Sequence, residues 1–183
     1  MPQRTLHFFK ASIALVTLLL VVPIPALGQG GGLSPKDEAE LKAVTLTMDS
    51  VEKLVKTLEA YVNLLKTDEE FLEFIREAGV EEEGDGLSID GLAADMAKLP
   101  AKGQAALTSQ GITIRQYVVL TLASVMNGMG SAASGMGRTD GPLLPGATRA
   151  NIDFLRANAD NPLFAKYRAL LAELEELEDG GLR

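Results

Sequence analysis

A chain of 183 residues with 46% apolar side chains can bury one ordinary core, yet it contains no cysteine and a single histidine. Thiolate chemistry and disulfides are therefore excluded. The net charge of −8, from 17 basic against 25 acidic residues, repels phosphate and so argues against nucleic acid and anionic lipid surfaces as partners.

The chain opens on the pattern of an export signal. Arg4 and Lys10 make a positive start, and Ala11 to Val22 is an apolar run of 12 residues ended by Pro23. Ala26 and Gly28 place small residues at the −3 and −1 positions of a cleavage site before Gln29. A bilayer span needs about 20 apolar residues, so residues 1–28 read as a cleaved signal peptide and no membrane span is expected afterwards. Cleavage would remove Arg4, Lys10 and His7; 183 residues less these 28 leave 155, with 15 basic against 25 acidic and a net charge of −10. Without histidine or cysteine, most zinc sites and histidine general bases are excluded. The expected location is periplasmic or extracellular.

Residues 29–33 form a Gly-rich lead-in, and 34–178 read as one all-α domain. Ser34, Pro35 and Asp37 have the order of an N-cap, a first helical proline and a capping box. A long helix is expected next, since Leu41, Val44, Met48, Val51, Val55, Leu58, Val62 and Leu65 recur at spacings of three and four. Leu54 and Tyr61 widen that stripe beyond a two-stranded seam, which favours a monomeric bundle over a coiled-coil dimer. Thr67 and Glu70 suggest a capping box for a second helix with Phe71, Leu72, Phe74 and Ile75. Ser88 or Asp90 would cap a short helix carrying Ile89, Leu92, Met96 and Leu99, after which Pro100 starts a short segment reaching Gly111.

Thr113 and Gln116 form a further box ahead of Tyr117 to Met126, which is apolar nearly all round and reads as the central buried helix. Its β-branched residues also permit a strand, but no partner strand is evident. Residues 127–146 hold six glycines and two prolines and read as a long Gly-rich loop. Thr148 then caps a short helix, Asn161-Pro162 opens the last one with Leu163, Tyr167, Leu170, Leu174 and Leu177 on one face, and 179–183 are a tail. The predicted architecture is an all-α, single-domain bundle of about six helices.

Motifs with chemical meaning are few. Gly128 to Ala133 fits G-x-G-x-x-A, but a phosphate cradle needs a strand before it and a βαβ unit around it. Glu81, Glu83 and Asp85, with Gly86, occupy positions 1, 3, 5 and 6 of a calcium loop, but the twelfth position is Leu92 where a bidentate glutamate is needed. They are candidates for weak calcium binding at most, and a solvated acidic loop is the simpler reading. Glu69 with Glu70 and Glu173 with Glu176 are carboxylate pairs, as acid/base catalysis on a glycan would require, though nothing places them in an apolar pocket. Met129 and Met136 are the groups in the Gly-rich loop most able to adapt to an apolar partner. No catalytic, cofactor-binding or metal residue is assigned, and no cofactor is expected.

The stretch Gly111 to Tyr117, running into the apolar helix, resembles an element of small exported bacterial helical proteins of unassigned function, and Ala150 to Asn158 resembles the last element of the same group. The resemblance implies an exported, all-α protein and no particular activity. The reading reached is an exported, non-catalytic helical binding or interaction protein of no more specific role, with a protein or an apolar small molecule as the expected kind of partner. A carrier of an apolar small molecule in a bundle cavity around Tyr117–Met126 stands second, and a carboxylate-based hydrolase third.

Overall fold

The computed structural model describes residues 33–78, 88–135 and 143–179. These form eight helices: α1 (Pro35–Ala43), α2 (Met48–Thr67), α3 (Glu69–Ala78), α4 (Ile89–Met96), α5 (Ala101–Leu107), α6 (Ile114–Gly135), α7 (Arg149–Ala157) and α8 (Pro162–Asp179). No strand occurs among the described residues, and no helix there is long and apolar enough to cross a membrane. Two long helices organise the bundle. α2 carries α3, α5 and α8; α6 carries α1, α4 and α7; α5 touches both, and α2 meets α6 directly.

The helix count exceeds six for two reasons. The segment after Pro100 closes into α5. The expected long first helix is broken at Val44–Thr47. Thr47 is extended and exchanges hydrogen bonds with Ser50, a reciprocal capping box that starts α2 afresh. The break also needs a partner for its backbone, and buried Asn151 of α7 supplies one. Its Oδ1 accepts from the Leu46 amide at 2.9 Å, and its Nδ2 donates to the Val44 carbonyl at 2.8 Å. Leu46 is thereby sunk into the core at 3% exposure.

Asn127 plays a matching part on α6. Its side chain donates to the Ala123 carbonyl at 2.7 Å and accepts from the Thr148 amide at 2.8 Å, which holds the start of α7. Between Leu144 and Ala147 the chain turns with Pro145 and Gly146 in the second and third places, as a type II turn requires. Gly146 has φ of +76°, and a Cβ there would lie 2.7 Å from Leu41 of α1. The position therefore admits only glycine.

Other caps follow the sequence closely. Thr113 and Gln116 make their reciprocal box, and Ser34, Ser88 and Thr148 each accept from the third residue on. The Thr67–Glu70 box does not form. Thr67 ends α2 by bonding back to the Asn63 carbonyl, and Asp68 caps α3 by accepting from the Phe71 amide at 2.9 Å.

A charged clasp ties α1, α4 and α6. Arg115 reaches both oxygens of Glu40 at 3.1 and 2.7 Å and also pairs with Asp90, which takes Lys36 at 2.7 Å. The hydrogen bond from Lys36, then that from Arg115, holds the Asp90 carboxyl down at about 2, against 3.8 unperturbed. Its folded-state pKa is depressed, so its contribution is complete above pH 3.8 and is lost as pH falls through about 2. Asp90→Asn should therefore lower the thermal midpoint at neutral pH, with the gap from wild type closing across that window. A gap unchanged down to pH 2 would show that the charge of Asp90 contributes nothing.

Candidate ligand cleft

α8 packs on α2 and α3 rather than on α6, and its anchors explain the lean. Lys166 pairs with Glu59 of α2 at 2.7 Å, Lys66 of α2 pairs with Glu173, and Arg76 of α3 donates twice to the Leu177 carbonyl at 3.1 and 2.8 Å. At the other end, Phe154 of α7 meets Phe164 edge-on at 6.4 Å and fixes the α7–α8 corner. What remains between α6 and α8 is a cleft of about 360 Å³, open to solvent, with Val51 and Leu54 of α2 as its floor. This volume is at the small end of ligand sites.

One wall is made by absence. Ser124, Gly128 and Ser131 lie at i, i+4 and i+7 on one face of α6 and project little into the space. A Cβ at Gly128 would meet nothing within 4 Å. Gly130, on another face, is small for the opposite reason: a Cβ there would come within 2.9 Å of Ile152, so α7 sits close against the helix. The G-x-G-x-x-A match thus lies inside a helix with no strand before it, and its glycines shape packing and cleft.

The remaining lining is apolar and aromatic: Val125, Met129, Leu155, Phe164 and Tyr167. Burial, and secondarily the proximity of Tyr117, pushes the Tyr167 hydroxyl well above the usual tyrosine range, so it keeps its proton. Arg168 stands at the rim, exposed. Among the described residues no carboxylate lines the cleft.

Of the residues singled out from sequence, Met129 lines this cleft and packs partly against the core. Its setting corrects the first part, 127–135, of the loop expected over 127–146; residues 136–142 lie outside the described residues. α6 runs on to Gly135, and Asn127 is fully buried inside it. Three of the six glycines, Gly128, Gly130 and Gly135, lie in α6, where glycine is costly, but the buried run ahead of them propagates the helix and α7 packs along it. Met136 lies outside the described residues, as do the calcium candidates Glu81, Glu83 and Asp85. No three acidic or histidine side chains among the described residues group as a metal site would require. Glu69 and Glu70 are exposed on α3, and Glu173 is engaged by Lys66.

Phe164, Arg168 and the Ser124–Gly128–Ser131 face were not singled out from sequence. The small residues at helical spacing were visible, but only the lean of α8 makes that face a wall. Comparison with known protein families, with curated proteins and with solved structures finds no match to this chain. The described residues define an all-α bundle with an apolar cleft set between its helices.

Proposed function

We propose that the protein is an exported, non-catalytic carrier of a small apolar molecule held between α6 and α8. The observation that supports this best is the cleft itself: apolar walls, an open mouth and a glycine where any larger residue would fill it. Its polar groups are two serines, a tyrosine that keeps its proton and a guanidinium, a set suited to orienting a ligand. A protein partner met through Met129 and Met136 is the second reading; the position of Met129 on the α6 wall of the cleft favours the carrier.

The neutral dye N-phenylnaphthylamine, whose fluorescence rises in an apolar environment, tests the reading directly. Dye fluorescence should rise on mixing with the protein. Gly128→Leu should abolish the rise while leaving the thermal midpoint unchanged or higher, because leucine is the better helix former by up to about 1 kcal/mol and its side chain enters open space. Equal enhancement in both proteins would place the dye elsewhere and end the carrier reading. Export through residues 1–28 is checked by N-terminal sequencing, with Gln29 as the expected first residue; recovery of Met1 in a membrane fraction would show an anchor instead.

A further inference from the structure

Arg168 differs from the other cations of this protein. Among the described residues every other lysine and arginine engages a carboxylate, a carbonyl or another partner group. Arg168 has no ion pair or hydrogen bond there, although acidic residues outnumber basic ones in this chain. Its helix explains this: Phe164 and Ala172 stand four residues before and after it, and Ala165 and Leu171 three, so no acid is in reach along α8. The guanidinium is left at the mouth of an apolar cleft.

Resting on the reading of the cleft as a ligand site, we infer that the occupant is a single-chain amphiphile with a carboxylate head, its tail between Met129 and Phe164 and its head paired with Arg168. Three features select that class. A volume of about 360 Å³ suits one aliphatic chain rather than two. One guanidinium presents one planar fork, which matches one carboxylate. The acidic surface disfavours a phosphate dianion, which would need further cations, and among the described residues Arg168 alone supplies one to the cleft. Serines along the α6 wall and the protonated Tyr167 add donors to the lining without adding charge.

Displacement of N-phenylnaphthylamine by three probes below their micellar concentrations separates the possibilities: dodecanoate, the neutral dodecanol and dodecyl phosphate. Wild type should bind dodecanoate about tenfold more tightly than dodecanol, as one charge-assisted hydrogen-bonded pair provides. Arg168→Gln, at an exposed position, should bind dodecanol as before and lose the tenfold preference; added salt should shrink the preference in wild type. Failure of all three probes to displace dye or bind would overturn the carrier reading itself. Dodecanoate and dodecanol binding alike, or a preference that survives Arg168→Gln, would overturn the carboxylate assignment while leaving the cleft a binding site. Tighter binding of dodecyl phosphate than of dodecanoate would overturn the choice of head group.

Discussion

Phe71→Ala is expected to cost about 3–5 kcal/mol in urea unfolding, the range for emptying a buried aromatic site. The ring is fully buried where α2, α3 and α5 converge. It meets Tyr61 edge-on at 5.8 Å and Phe74 nearly parallel at 6.4 Å, and the Lys102 ammonium lies 5.8 Å from its centroid. Lys102 is held there by Asp68 at 2.6 Å, the same residue that caps the helix carrying Phe71. The backbone of α5 comes in so closely that a Cβ on Gly103 would stand 2.7 Å from the ring. Gly103→Ala should therefore destabilise the wild type, yet become neutral or stabilising beside Phe71→Ala, where the clash is gone and alanine's helix preference of about 1 kcal/mol remains. Strict additivity of the two changes would show that α5 does not rest on Phe71.

Asn151→Ala should cost about 2–5 kcal/mol. It leaves the Leu46 amide and the Val44 carbonyl without their partner in the interior, and each buried orphan costs about 1–3 kcal/mol. Asn151→Asp gives a sharper readout. The acceptor for Leu46 survives, but a carboxylate would face the Val44 carbonyl, which accepts and cannot donate. Burial and that opposition raise the folded-state pKa of the new acid above its unfolded value, so the folded state binds the proton more tightly. The variant should be weak at neutral pH and recover as pH falls towards the unfolded value of about 4. A pH-independent loss in Asn151→Asp would mean that the amide donor is dispensable and that the residue serves through shape alone.

Asn151 also marks where sequence reading stops. Local chemistry determined most of the helices: Thr113 with Gln116 starts α6, Ser34 and Pro35 start α1, and the three-and-four spacing from Val51 to Leu65 names the buried face of α2. These depend on residues within a turn or two of each other, and their spacing is written in the chain. The same spacing ran unbroken through Val44 and Met48, so the break between α1 and α2 was not legible. It is stabilised by an amide more than a hundred positions away. The glycines after Asn127 pointed to a loop because glycine lowers local helix preference, and only packing against α7 overrides that preference. Met129 was recognised as adaptable from its type alone, whereas the unpaired state of Arg168 was invisible, because an unpaired cation is defined by what fails to approach it. The cleft has the same origin: its small residues belong to α6, but its existence follows from α8 being drawn towards α2 and α3 by Glu59, Lys66 and Arg76. Sequence determined the elements and their buried faces through short-range periodicity; the tertiary structure alone decided which faces stay apart, because that depends on contacts between residues far separated along the chain.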